Sequence, residues 1–109
     1  MNIYDKAHEL ASAIKTSEEF KEFKDLHKEV MANEKNKEMV EDFRKKVIEY
    51  QVQNYGKEEQ DQEELNKIQQ LQNALMMNQD IAKYMMAEMR FSQIYDDINK
   101  ILIEAIKVD

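Results

Sequence analysis

The stretch QDIAKYMMAEMRFSQIYDDINKILIEAIK, residues 79–107, contains neither glycine nor proline and places apolar residues at alternating steps of three and four. That spacing lines up one face of an α-helix, and the run predicts a single helix of about 29 residues, some 43 Å long at about 1.5 Å per residue. Ile81, Tyr84, Met85, Ala87, Phe91, Ile94, Tyr95, Ile98, Ile101, Leu102, Ala105 and Ile106 together spread over half the helix circumference or more. One neighbouring helix cannot cover so wide an arc. In a short chain such a helix is either wrapped by the other helices of its own chain or shared with a second subunit. The reading adopted is both at once, with Phe91, Ile94, Tyr95, Ile98, Ile101 and Leu102 as the candidate interface with a symmetric partner.

Upstream, the pattern resolves into four further helices. Ile3, Ala7, Leu10 and Ile14 define a helix from Ile3 to Lys15. Thr16-Ser17-Glu18-Glu19 fits a capping box with Thr16 as the cap, opening a second helix whose inner face is Phe20, Phe23, Leu26, Val30 and Met31. Asn33 is expected to stop it, because asparagine tolerates the left-handed conformation that follows a helix. A third helix from about Asn36 carries Met39, Val40, Phe43, Val47 and Tyr50, and runs to Tyr55 with Gly56 as its terminal cap. Lys57 to Glu64 holds one basic and five acidic side chains with two glutamines, a composition suited to a solvated connection. A fourth helix then turns Leu65, Ile68, Leu71, Leu75 and Met76 inward, and Asn78 caps the last one. The fold class that follows is all-α, an antiparallel bundle of about five helices in one domain spanning residues 1–109.

Composition narrows the function classes. The chain has 109 residues, one glycine, no proline and no cysteine. Gly-rich phosphate loops and tight hairpins are therefore absent, as are disulfides, thiolate metal sites and cysteine nucleophiles. A formal charge of -7 opposes the phosphate backbone of nucleic acid and the surface of anionic lipid. Nothing approaches the about 18 consecutive apolar residues of a membrane span, and the N-terminal residues lack a basic region followed by a long apolar run. A cytoplasmic protein without membrane association is expected.

Candidate chemistry is sparse. His8 and His27 are the only histidines. A carboxylate-bridged di-metal bundle needs two Glu-x-x-His pairs, and the nearest approach is Asp5-Lys6-Ala7-His8, once, so no metal site, cofactor or catalytic residue is assigned. His27 falls among the apolar residues of its helix, as a core or edge imidazole. Glu88 lies in the middle of the apolar arc, between Ile81, Tyr84, Phe91 and Tyr95, where a charge needs a partner. It is read as a buried polar residue that fixes helix register, in preference to a general base, since no nucleophile accompanies it. Met76, Met77, Met85, Met86 and Met89 cluster around the turn before the last helix; Met86 and Met89 point away from the main arc and could rim an adaptable binding surface. Arg90, opposite the arc, suits a surface ion pair. Lys35, Lys37, Arg44, Lys45 and Lys46 form the most basic stretch, interrupted by Glu38, Glu41 and Asp42. It leaves open a second class of function, an RNA-associated factor using residues 35–46.

Ser17-Glu18-Glu19-Phe20, Phe43-Arg44 and above all Ala87-Glu88-Met89-Arg90-Phe91-Ser92 with Asn99 downstream carry a resemblance. In their order and spacing, from Tyr4 to about Lys107, the chain resembles the YheA branch of the YheA/YmcA/YlbF family of small helical bacterial proteins. The resemblance implies a dimer-forming, all-helical protein of Gram-positive bacteria. Relatives of the YlbF and YmcA type are adaptors that assemble with another protein and influence RNA-processing endonuclease activity, and through it competence, sporulation and biofilm formation. Those relatives hold iron-sulfur clusters through cysteines, which this chain lacks. The expected function is a non-enzymatic protein-binding or regulatory adaptor, homodimeric, with an unknown protein partner.

Overall fold

A computed structural model describes residues 2–108 and is all-α, with five helices among the described residues. They are α1 (Ile3–Lys15), α2 (Glu18–Ala32), α3 (Glu34–Gln53), α4 (Gln62–Met76) and α5 (Gln79–Ala105). At 27 residues α5 is the longest, about 40 Å. No helix is long and apolar enough to cross a membrane.

Helix ends follow from local side chains, and three of them differ from the sequence expectation. Thr16 closes α1 instead of opening α2: its hydroxyl donates to the Ser12 carbonyl at 2.9 Å, while the Ser17 hydroxyl, one residue on, accepts from the Phe20 amide at 3.3 Å. Asn33 is extended, with φ -96° and ψ 112°, and acts as the N-cap of α3 by accepting from the Asn36 amide at 3.0 Å. Asparagine serves both kinds of helix end, and here the short link leaves α3 an amide to satisfy. The third helix ends at Gln53 and not at Tyr55, with Asn54 as its cap. Gly56 is the one described residue with a left-handed backbone, at φ 76°, in the turn that follows. Asn78 does cap α5, accepting from the amides of Asp80 at 3.1 Å and Ile81 at 3.2 Å.

The chain divides into two compact units. One comprises residues 28–83, and its buried core is Val30, Val40, Leu75 and Ile81. Within it α3 and α4 form an antiparallel hairpin with an asparagine at each end. At the closed end Asn54, 6% exposed, donates from Nδ2 to the Tyr50 carbonyl at 2.9 Å and accepts at Oδ1 from the Asp61 amide at 3.0 Å, tying the last turn of α3 to the first residue before α4. At the open end Asn78 Nδ2 donates to Oδ1 of Asn36, also 6% exposed, at 2.9 Å. The expected inner face of α4 holds for Leu65, Ile68, Leu71 and Leu75; Met76 is exposed, because the helix ends there and its last turn presents that side chain to solvent.

Asn78→Ala removes both the α5 cap and the donor to Asn36. Loss of a cap costs about 0.5–2 kcal/mol and a stranded buried acceptor about 1–3 kcal/mol, so a loss of about 2–4 kcal/mol is expected, read as a lower urea midpoint at unchanged slope. A shift under about half a kcal/mol would mean that the amide pair is ornamental.

The other unit comprises the residues up to His27 and those from Tyr84 onward. Here α2 and α5 run antiparallel through a ladder of rings. Phe20 meets Phe91 at 5.1 Å between centroids, Phe23 stacks on Phe91 at 5.6 Å and on Tyr84 at 5.8 Å, and His27 leans on Tyr84 at 5.6 Å. Tyr84 and Ala87 are fully buried, whereas α1 buries no residue.

Candidate functional site

The candidate interface lies on the C-terminal part of α5, in the unit that contains α1. Phe91, Ile94 and Ile98 are half-buried. Tyr95, Ile101 and Leu102 are 53%, 68% and 51% exposed, and Ile103 and Ile106 beyond them are exposed as well. Each of the six expected residues is therefore on α5 with part or most of its side chain uncovered. Ile3, Tyr4 and Leu10 of α1 add further exposed apolar groups to the same unit. Large apolar side chains in this density on a folded surface mark a contact surface.

Glu88 sits one turn from Tyr84, whose phenol donates to its Oε2 at 3.3 Å. It is half-buried and not sealed, since the ring ladder covers Tyr84 while the carboxylate reaches the edge of the helix. His27 is an exposed rim residue with its ring against Phe23 and Tyr84. Arg90 forms a surface ion pair, with Nη1 donating to Glu22 at 3.2 and 3.3 Å. Met86 and Met89 are exposed on α5, Met77 in the turn before it, and Met85 is half-buried. This arrangement can bind an apolar surface; it brings together no nucleophile with a base.

The basic stretch falls on α3, where Lys35, Lys37, Arg44, Lys45 and Lys46 are exposed and Lys46 is held by Asp42 at 2.9 Å. An open groove of about 720 Å³ separates α3 from α4, with Tyr50, Ile68 and Leu71 half-buried and Lys46, Glu49 and Lys67 exposed around it. Its charges largely neutralise one another, as in the Lys67–Glu64 pair at 3.7 Å.

Two features escaped the sequence reading. Asn36 and Asn54 are buried polar anchors, hidden in sequence because asparagine on a helix wheel counts as surface. Ile48, Val52 and Tyr55, spaced four and three apart, form an exposed apolar stripe on α3, away from its Val40–Phe43–Val47 face. The spacing itself carried that signal.

A family model described as control of competence regulator ComK, YlbF/YmcA, matches residues 3–107. A UPF0342 protein of Clostridium novyi is 42% identical over 109 residues, covering 100% of this chain and 96% of its own length. Another, from Caldicellulosiruptor bescii, is 40% identical over 106 residues, covering 97% and 89%. Among solved structures the chain is similar to yheA from Bacillus subtilis, with 32% identity, a TM-score of 0.69 and coverage of 97% of this chain and 96% of the other. It also shares its fold with a chain of the Bacillus subtilis RicA–RicF complex, at 24% identity and a TM-score of 0.63, covering 95% and 92%.

Proposed function

The chain belongs to the YlbF/YmcA family, whose described role is control of the competence regulator ComK, and from that membership we propose that it is a cytoplasmic, non-catalytic adaptor that works as a homodimer. Its protein partner is unidentified, and competence, sporulation and biofilm formation are the processes in which we place it. The observation that carries the reading is the exposure of Tyr95, Ile101, Leu102, Ile103 and Ile106 along one helix. Leaving so many large apolar side chains in water forfeits stabilisation of about 25 cal/mol for every Å² that a partner surface would cover. We assign Phe91, Ile94, Tyr95, Ile98, Ile101 and Leu102 to the self-association surface. Glu88 serves beside them as a hydrogen-bonded register element.

Multi-angle light scattering at micromolar concentration tests this directly. The expected mass is twice the 13.1 kDa of one chain. A single particle of 13.1 kDa across the concentration range would remove the self-association half of the proposal.

A further inference from the structure

The residues of α5 left uncovered are arranged almost symmetrically about Ile98. At about 100° and 1.5 Å per residue, Ile94 and Leu102 lie one turn below and above it, 40° to either side; Tyr95 and Ile101 lie about 60° to either side; Phe91 and Ala105 stand two turns away, 20° to either side. We propose that a second copy of this chain lies antiparallel along α5, with the two-fold axis passing beside Ile98. This rests on the self-association reading above and adds the direction and register of the pairing.

Three observations favour this alignment. An antiparallel pair about Ile98 sets Phe91, the largest residue of the arc, against Ala105 of the partner subunit, the smallest. A parallel pair sets Phe91 against its own copy and leaves two alanines facing across a gap, which close packing disfavours. Charges agree as well. Arg90 and Glu104 occupy the same flank of the helix, and the antiparallel register brings Glu104 of the partner subunit within about two residues' rise of Arg90. Nη1 of Arg90 serves Glu22, and a guanidinium with five N–H donors can hold a second carboxylate. Finally, the two long helix dipoles oppose each other when antiparallel and reinforce each other when parallel.

The chain has no cysteine, so any introduced thiol is the only one present. Tyr95 and Leu102 are both more than half exposed in the chain, so Tyr95→Cys and Leu102→Cys should fold. In the antiparallel register Tyr95 lies at nearly the same height as Leu102 of the partner subunit and on the same side. The two Leu102 positions are about 12 Å apart along the axis and the two Tyr95 positions about 9 Å, beyond the about 7 Å Cα separation that a disulfide spans. Mild copper-phenanthroline oxidation of the two differently tagged variants mixed together should therefore give a covalent heterodimer, while Leu102→Cys alone stays uncrosslinked. Efficient crosslinking of Leu102→Cys alone without the mixed product overturns the antiparallel register in favour of a parallel pair. No crosslink in a sample that scatters light as a dimer overturns the assignment to this face. A sample that scatters light as a monomer brings down the underlying self-association reading instead, so the failures are distinguishable.

Discussion

Tyr84→Ala is expected to destabilise the protein by about 3–5 kcal/mol, the range for removing a fully buried aromatic ring from a packed core. Tyr84 is fully buried and touches the rings of both Phe23 and His27, while its hydroxyl donates to Glu88. Truncation therefore loses the transfer energy of the ring, two aromatic contacts and the hydrogen bond together. Against a total stability of about 5–15 kcal/mol for a domain, the loss moves the thermal midpoint by roughly 15–30 °C. Tyr84→Phe separates the components: it keeps the ring and removes only the bond to Glu88, an expected loss of about 1 kcal/mol. Denaturation of the two variants, followed by far-ultraviolet circular dichroism, gives both numbers. If Tyr84→Phe proves as damaging as Tyr84→Ala, the hydroxyl and Glu88 carry the site and the ring ladder does not.

The second large effect concerns association. Ile101→Lys combined with Leu102→Lys should convert a 26 kDa dimer, twice 13.1 kDa, into single chains while leaving the helix content unchanged. Both positions are more than half exposed within the chain, and lysine is a good helix former that suits the C-terminal end of the α5 dipole. In a dimer the same change gathers four ammonium groups against apolar surface. Each unpaired charge excluded from water costs several kcal/mol, so a combined loss above about 4 kcal/mol, a thousandfold or more in dissociation constant, is expected. Sedimentation or light scattering across a dilution series reads it. A double variant that still sediments as a dimer would move the interface elsewhere, and the exposed Ile48–Val52–Tyr55 stripe of α3 would be the next surface to test.

The helices were legible because each carries its own periodic signal, strongest in α5 and adequate in α1 through α4. Their ends were less so. The shift of a cap from Thr16 to Ser17, and the use of Asn33 to start a helix instead of ending one, turn on single hydrogen bonds that several adjacent residues could have made. The arc on α5 was visible from the helix wheel. The wheel could not show which part of the arc the chain covers itself, because Phe91 loses exposure to Phe20 and Phe23, residues about seventy positions away in sequence. Long-range polar pairing was invisible for the same reason: nothing about Asn36 and Asn78 taken singly marks them as partners across the hairpin.

The α3–α4 hairpin is buckled at both ends by neutral amides, whereas the ion pairs at Lys46–Asp42, Lys67–Glu64 and Arg90–Glu22 stand in open water. Dissolved ions screen exposed charges within about a nanometre and leave buried dipole-to-dipole bonds nearly untouched. The geometry of this hairpin should accordingly be indifferent to the ionic atmosphere around it, and any response of the whole protein to brine originates on its surface or where copies meet.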